Sequence, residues 1–193
     1  MDAVLQAARA MGLEARTDAF LFCRHGQTAG NAQRFYQHPH EPLDAEGHAQ
    51  AARAAAIIAA GPRPTRVLAS DMARAWLTAG HIASAGGFAV QPAPGLRERC
   101  FGALVGASSE GFDWRRDPPG GETLDAFVSR TLAGLSDALS DGGTPLLVAH
   151  GGTLLVIAGA LGLPLDPSLR ANAVPLLVRR CGATWGLRLL EGG

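Results

Sequence analysis

The stretch 20-FLFCRHGQTAGN-31 decides the fold, because a short apolar run ends abruptly there in Arg24, His25 and Gly26. The apolar run predicts a buried strand, and the polar residues after it are typical of a turn or a helix start. A glycine lets backbone amides approach a bound anion, and a guanidinium offers paired donors to phosphate. The stretch therefore predicts an anion site at the carboxyl end of a strand, although such a triplet also recurs by chance and a histidine there is often structural.

The composition narrows the classes of function. A chain of 193 residues has the size of one domain, or of a domain with a small cap, and its net charge of zero offers no general attraction for nucleic acids or anionic membranes. All 17 basic residues are arginine. The lack of lysine excludes Schiff-base chemistry on that residue, and no G-x-x-x-x-G-K-S/T motif is present to indicate a phosphate-loop nucleotide hydrolase. Any anion site must therefore be local.

The cysteines and the N-terminus predict the cellular location. The three cysteines are far apart and lack metal-ligand spacing, which indicates reduced thiols: Cys23, Cys100 and Cys181. The first residues lack the basic start and apolar run of a signal peptide, and the apolar run at 154–165 is too short to span a bilayer. His38 and His40 have no Cys or Asp cluster nearby. We therefore expect a cytoplasmic protein with no metal, no cofactor, and no nucleic-acid or membrane partner.

Segments of strand and helix character alternate along the chain. Apolar or β-branched runs predict strands at 20–23, 65–69, 145–149, 174–181 and 184–190. Helical spacing and cap residues predict helices at 2–14, 46–60 and 123–140, at 70–84 with Ser70-Asp71 as the cap, and at 153–163 with Thr153 as the cap. The alternation predicts an α/β fold, a three-layer α/β/α sandwich with a mainly parallel sheet and an antiparallel edge strand. We expect a single domain over 1–193, with an N-terminal helical extension at 1–18 and an irregular, substrate-facing loop region at 86–121.

Residues capable of chemistry follow three of the predicted strand ends, namely His25, Arg74 and His150. In an open parallel sheet the carboxyl ends of the strands lie on one side, so these three side chains should converge. Each also has a plain structural interpretation on its own: His25 as a core histidine, Arg74 as a surface charge and His150 as a helix-capping donor. Their joint occurrence at three such junctions favours one shared site.

Five motifs, in this order, are similar to those of a known family. They are 20-FLFCRHGQTAGN-31, 41-EPLDAEGHAQA-51, 67-VLASDMARAWLTA-79, 96-LRERCFG-102 and 146-LLVAHGGT-153. With them the chain resembles the histidine phosphatase superfamily, also called the phosphoglycerate mutase-like family, over nearly its whole length from residue 20. The resemblance implies a phosphoglycerate mutase-like fold and an enzyme that transfers phosphoryl groups without a metal.

The resemblance also implies roles for individual residues, with His25, Glu98 and His150 as the catalytic ones. His25 would attack the phosphorus of a bound phosphomonoester and form a phosphohistidine, and Glu98 would protonate the leaving alkoxide. For this attack we expect neighbouring guanidiniums to lower the pKa of His25 and a backbone carbonyl to fix its tautomer. Phosphate binding would fall to Arg24, Arg74, His25, His150, Asn31, Thr28 and Gly151, of which Asn31 and Thr28 could instead shape the loop. An ordinary loop carboxylate, paired with a neighbouring arginine, is the alternative for Glu98.

Features of the phosphoglycerate mutases are present in part. Arg115 and Arg116 follow Trp114 as in those mutases and, with Arg99, are candidates for binding substrate through a carboxylate or a second phosphate. The chain departs from the mutase pattern at Phe101, where the mutases have tyrosine, and its loop before the arginine pair is shorter. Retaining phosphohistidine for transfer to a second acceptor requires a site that excludes water, and a shortened lid argues against this.

The segment 118-PPGGETLDAF-127 looks instead like that of the small phosphatases of the family. We therefore expect a metal-independent hydrolase of small phosphomonoester metabolites. The alternatives are a phosphoglycerate mutase and a non-catalytic phosphate-binding regulatory module. Phe101, Phe112 and Trp114 could pack on one another as a hydrophobic lid. The sequence does not identify the substrate, and it leaves a homodimer open.

Overall fold

The computed structural model describes residues 1–190, so the last three residues of the expected 1–193 domain lie outside it. The strands are β1 Ala19–Arg24, β2 Val67–Ala69, β3 Val90–Pro92, β4 Leu146–Ala149, β5 Pro175–Cys181 and β6 Thr184–Leu189. The helices are α1 Asp2–Met11, α2 Ala29–Gln33, α3 Ala45–Ala60, α4 Ala73–Gly86, α5 Leu124–Ala138 and α6 Gly151–Leu161.

These strands form a six-stranded sheet with the order β3-β2-β4-β1-β5-β6. The first four are mutually parallel, β5 runs antiparallel to β1, and the edge strand β6 pairs antiparallel with β5. The predicted fold class is therefore confirmed. The strand that runs antiparallel to the others is β5, which is next to the edge of the sheet. The edge position is taken by β6, because the chain reverses direction at Gly182.

Alternate residues of β1 face two different cores, which makes the sheet the middle layer. Phe20 and Phe22 pack with buried residues of α1, α5 and α6. Leu21 and Cys23 pack on the other face with buried residues of α3 and α4. A strand that is buried on both faces has apolar residues at successive positions. This pattern is why the sequence predicted β1 and β4.

Several element boundaries differ from the sequence prediction. The short strand β3 lies inside the region 86–121 that was expected to be irregular. Two of its three residues are exposed and the third is half-buried, and it ends in a proline, so its sequence pattern is weak. Helix α4 begins at Ala73 with Met72 as its cap, not Ser70-Asp71. Helix α6 begins at Gly151, and the hydroxyl of Thr153 donates to the Leu96 carbonyl instead of capping the helix.

The N-terminal helix α1 packs closely on α6. Val4 and Ala8 are fully buried, and Gly159 of α6 leaves room for the α1 backbone: a Cβ at position 159 would lie 2.8 Å from Leu5 Cα and 2.9 Å from Ala8 Cβ. Helix α1 ends at Met11, earlier than the predicted residue 14, because Gly12 has a φ of 72°. The extension is therefore part of the packed structure. None of the helices described for residues 1–190 has the length and hydropathy of a membrane span.

We expect Gly159→Ala to lower the free energy of unfolding by about 1–3 kcal/mol, because the added methyl group overpacks the contact between α1 and α6. Gly80→Ala is the matched control, since Gly80 also lies in a helix but a Cβ there meets nothing within 4 Å. The control should raise stability by about 0.5–1 kcal/mol through helix propensity. Urea unfolding of the two variants measures both effects. A gain in stability for both would show that α1 does not sit against Gly159.

Candidate active site

His25 follows the carboxyl end of β1 and is held there by its own backbone. Its N–H donates to the Ala149 carbonyl of β4 at 2.9 Å. Its ring Nδ1 lies 2.7 Å from the Gly26 carbonyl oxygen, which can only accept, so Nδ1 carries the proton. The opposite nitrogen, Nε2, accepts from Arg74 Nε at 3.3 Å. The lone pair of Nε2 is thereby directed among guanidiniums, where an anion would bind.

The surroundings of His25 keep it neutral. Its pKa is lowered well below 6.5, first by burial and then by the charges of Arg74 and Arg24, while the hydrogen bond to the Gly26 carbonyl acts in the opposite direction. A neutral imidazole with an unprotonated Nε2 is the nucleophilic form. The expected tautomer and the expected direction of the pKa shift are both found here, with burial as the larger cause.

Two arginines bracket the imidazole. Arg74, in the first turn of α4, is only 3% exposed, and its Nη1 donates to the His38 carbonyl at 3.1 Å. Arg24, the last residue of β1, donates from Nη1 to the Arg170 carbonyl at 2.7 Å, while its buried Nε has no hydrogen-bond partner among the described residues 1–190. Burial lowers the pKa of both guanidiniums from their ordinary value. A bound anion would compensate these buried charges.

His150 completes the group, as the convergence of strand ends predicted. Its ring centroid lies 5.2 Å from that of His25, and it is fully buried. Its Nε2 lies 2.8 Å from Ser70 Oγ, and its Nδ1 is buried with no hydrogen-bond partner in the part of the chain that the structure describes. Burial, followed by the charge of Arg74, lowers its pKa well below 6.5. Ser70, expected to cap α4, was missed as the partner of His150.

The two buried imidazoles predict how stability depends on pH. Because the folded pKa of His25 and His150 lies below 6.5, below that pH the unfolded chain binds protons that the folded protein does not, so stability falls as pH decreases. The expected slope is about 1.4 kcal/mol per pH unit for each imidazole. Urea unfolding at pH 7, 6 and 5 measures it, and His25→Gln should reduce the slope by about half. Equal stability at pH 7 and pH 5 would contradict the burial of these rings.

Glu98 extends into the same cavity from the loop after β3. Its Oε2 accepts from the Gly152 N–H at 3.0 Å, and its Oε1 accepts from the Arg99 N–H at 3.0 Å. Among residues 1–190 no guanidinium forms an ion pair with it, since Arg97 binds Asp71 through Nε at 2.6 Å. The alternative of a loop carboxylate paired with a neighbouring arginine is therefore not what the structure shows.

The remaining expected phosphate ligands fall into two groups. Asn31 and Gly151 line the cavity. Thr28 is fully buried and is not part of the cavity lining; its hydroxyl accepts from the Asn31 N–H at 3.1 Å and donates to Gln37 at 2.9 Å, which shapes the loop at the start of α2. Asn172, which no motif marked, donates 2.9 Å to the His25 carbonyl and 3.2 Å to Asn31 Oδ1.

The loop that carries His25 is packed directly on α3. A Cβ at Gly26 would overlap the carbonyl of Gly47, and a Cβ at Gly47 would overlap the carbonyl of Gln27. Asp44 caps the helix by accepting from the Gly47 N–H at 2.7 Å. This close approach explains why the second motif contains a glycine, and it fixes the position of the His25 loop.

Arg99 organises the wall of the cavity. Its side chain is fully buried, and it donates to the carbonyls of Glu122 at 3.0 Å, Trp114 at 2.7 Å and Arg116 at 3.2 Å, and to Asp117 at 3.3 Å. These bonds tie the loop region to the start of α5. Arg99 was expected to bind substrate, but the structure shows its donors already occupied by the protein.

The other two candidates for substrate binding lie outside the cavity. Arg115 and Arg116 are exposed and neither is among its lining residues. The Arg115 guanidinium lies 3.5 Å from Gln6 of α1 instead. In an irregular loop, neighbouring side chains can point into a cavity or away from it. The sequence has no pattern that indicates which of the two an arginine does.

The cavity above these residues has a volume of about 1090 Å³. The cavity is lined by His25, Arg24 and Arg74, together with residues 97–101 and with Ser109, Gly111, Phe112 and Trp114 of the loop region. Part of the region 86–121 therefore lines the cavity, and its contact with substrate stays a prediction. Among residues 1–190, no three His, Cys, Asp or Glu side chains are grouped as metal ligands.

Comparisons with known proteins agree with this arrangement. The family model for the histidine phosphatase superfamily (branch 1) matches residues 20–178. A "Probable phosphoglycerate mutase GpmB" from Enterobacter sp. (strain 638) is 36% identical over 159 residues, which cover 73% of this chain and 74% of that protein. A structure of TTHB049 from Thermus thermophilus is similar with a TM-score of 0.71 and 32% identity, covering 90% of this chain and 99% of that chain. The structure of a mycobacterial glucosyl-3-phosphoglycerate phosphatase with VO3 has a TM-score of 0.73 and 25% identity, covering 90% of this chain and 97% of that chain.

Proposed function

Because the chain belongs to the histidine phosphatase superfamily, we propose that it is a metal-independent phosphomonoester hydrolase that works through a phosphohistidine at His25. The observation that carries the proposal is the orientation of His25: the Gly26 carbonyl holds the proton on Nδ1, so Nε2 is unprotonated and its lone pair faces the Arg74 guanidinium. A buried, neutral and correctly oriented imidazole is what a nucleophile requires.

The reaction follows from this geometry in two steps. In the first, His25 Nε2 forms a bond to phosphorus, the ester P–O bond breaks, and Glu98 gives a proton to the leaving alkoxide. In the second, a water molecule gives a proton to Glu98 and attacks phosphorus, which releases phosphate and restores His25. Arg24, Arg74 and His150 would stabilise the charge on the phosphoryl oxygens in both steps.

Hydrolysis is favoured over a mutase reaction by the position of the arginine pair. A mutase acting on phosphoglycerate must also hold a carboxylate and a second phosphate. Arg115 and Arg116, the residues expected to do so, do not line the cavity. The relatives named as probable phosphoglycerate mutases support the mutase as a second candidate.

A phosphate-binding module without activity is supported less well. An anion-binding site gains from guanidiniums and N–H groups, whereas the carboxylate of Glu98 at the cavity surface would repel the ligand. A carboxyl group at the position of Glu98 is useful when a proton must be delivered to a leaving group.

An assay with p-nitrophenyl phosphate in the presence of a chelator tests the proposal. We expect turnover that is insensitive to the chelator, and no 2-phosphoglycerate from 3-phosphoglycerate. Conversion of 3-phosphoglycerate to 2-phosphoglycerate would establish the mutase instead, and phosphate binding without turnover would establish the module.

We propose in addition that the chain forms one domain and, from its free thiols, that it is cytoplasmic.

A further inference from the structure

We propose that the substrate is a monophosphate ester whose alcohol part carries an uncharged aromatic ring system, which stacks on an aromatic wall of the cavity. The aromatic wall consists of Tyr36, Phe101, Phe112 and Trp114. This inference rests on the proposed hydrolase function and assigns the class of substrate that the hydrolase takes.

The size of the cavity indicates a large alcohol part. Its volume of about 1090 Å³ lies just above the range of roughly 300–1,000 Å³ that holds drug-sized ligands. The phosphoryl group occupies only the end formed by Arg24, His25 and Arg74. A three-carbon acid such as phosphoglycerate would leave most of the remaining space to water.

The wall has the geometry of an aromatic ligand site. Tyr36 and Phe101 stack with their ring centroids 4.1 Å apart and an angle of 29°. Phe112 meets both edge-on, at 5.6 Å from each, and Trp114 lies 5.9 Å from Phe101 and 6.4 Å from Phe112. Phe101, Phe112 and Trp114 are half-buried, so ring surface remains accessible from the cavity. The structure confirms the predicted packing of Phe101, Phe112 and Trp114 on one another, and the same three rings line the cavity.

The charges near the wall indicate that the ring system is uncharged. The guanidiniums of Arg34 and Arg130 are each paired with a carboxylate, Glu110 and Glu122, at 2.7 Å and 2.8 Å. Arg97 is paired with Asp71, and the donors of Arg99 are occupied as described above. A second anionic group on the substrate would therefore have to displace a pair that already exists.

Arg170, like Arg24 and Arg74, lines the cavity and forms no ion pair with a carboxylate among residues 1–190. It belongs to the phosphate end of the cavity, because its carbonyl accepts from Arg24 and its charge contributes to lowering the pKa of Arg24. Its position adds positive charge next to the phosphoryl group rather than at the aromatic wall.

Backbone hydrogen bonds of the protein itself hold the segments that carry the wall. Segment 34–36 and segment 106–109 are joined by backbone hydrogen bonds, from the Tyr36 N–H to the Ala107 carbonyl at 3.0 Å, from the Gly106 N–H to the Tyr36 carbonyl at 2.8 Å, and from the Ser109 N–H to the Arg34 carbonyl at 2.9 Å. A preformed aromatic surface loses little freedom when a ring binds to it, which favours selection by stacking.

A pair of substrates with the same leaving oxygen tests the inference. Adenosine 5′-monophosphate and ribose 5-phosphate both release the 5′-oxygen of a ribose, and they differ in the aromatic base. We expect kcat/KM to be about tenfold or more higher for the nucleotide. Phe112→Ala should reduce this preference, because kcat/KM should fall more for adenosine 5′-monophosphate than for ribose 5-phosphate. Phe88→Ala is the matched control, because Phe88 is also half-buried but lies outside the cavity.

The outcomes separate the two proposals. Absence of turnover with p-nitrophenyl phosphate would overturn the hydrolase function itself. Equal kcat/KM for the two ribose esters, or a preference for 3-phosphoglycerate, would overturn the inference and leave the hydrolase function standing. If Phe112→Ala does not fold, Phe112→Leu keeps an apolar side chain in the wall without a ring. It should lower the preference for the nucleotide, and an unchanged preference would overturn the inference.

Discussion

Replacing His25 by alanine is expected to lower kcat for p-nitrophenyl phosphate by at least about 10⁴-fold, because the variant has no atom that can accept the phosphoryl group. The same replacement should abolish the covalent intermediate. Quenching the wild-type protein during turnover of a ³²P-labelled ester should give protein-bound phosphate that is labile in acid and stable in alkali. The His25→Ala variant should show none.

The control for this experiment is His81→Ala. His81 lies on α4 and its ring contacts His48 at 3.0 Å, away from the cavity lining. This variant should keep the activity and the labelled intermediate of the wild type. Acid-labile phosphate on the His25→Ala protein during turnover would place the nucleophile elsewhere.

The second large effect is expected for Glu98→Gln, and it should depend on the leaving group. An alkoxide is too basic to leave without a proton, whereas p-nitrophenolate leaves readily. In single turnovers we therefore expect the rate to fall by about 10²- to 10⁴-fold with an alkyl phosphate and only slightly with p-nitrophenyl phosphate. With the latter ester, hydrolysis of the intermediate should become slow, so p-nitrophenolate should appear as a burst of one equivalent.

Glu110→Gln is the matched control for this prediction. Glu110 belongs to the same loop region but is exposed and pairs with Arg34, so its substitution should leave both rates close to those of the wild type. A loss of similar size for both esters in Glu98→Gln would show that Glu98 positions the site rather than donating a proton.

The parts of the site that could be predicted are those with a local signal. An apolar run that ends in Arg24-His25-Gly26 contains both the strand and the residue that follows it, and His150 follows β4 in the same way. Parallel pairing then brings the two together, since Arg24 lies opposite Ala149 in the register of β1 and β4. Periodicity, strand ends and the sidedness of parallel sheets were sufficient for this part.

The parts that could not be predicted depend on contacts between distant segments. Ser70 becomes the partner of His150 only because β2 and β4 are neighbours in the sheet. Asn172 reaches His25 from the loop before β5, and no pattern around it indicates this. Arg99 looked like a substrate ligand because a buried arginine and an exposed one have the same sequence pattern when the surrounding loop is irregular.

The buried Arg99 has a further consequence for how esters are discriminated. One guanidinium binds three groups of the loop region and the Glu122 carbonyl that follows it, so we expect the wall to behave as a rigid template and not as a flap that closes after the ligand arrives. The protein would then discriminate between esters when they first bind, according to how well their shape fits a fixed surface. To engineer a new preference, residues at the surface of this wall would therefore be changed while Arg99 is retained.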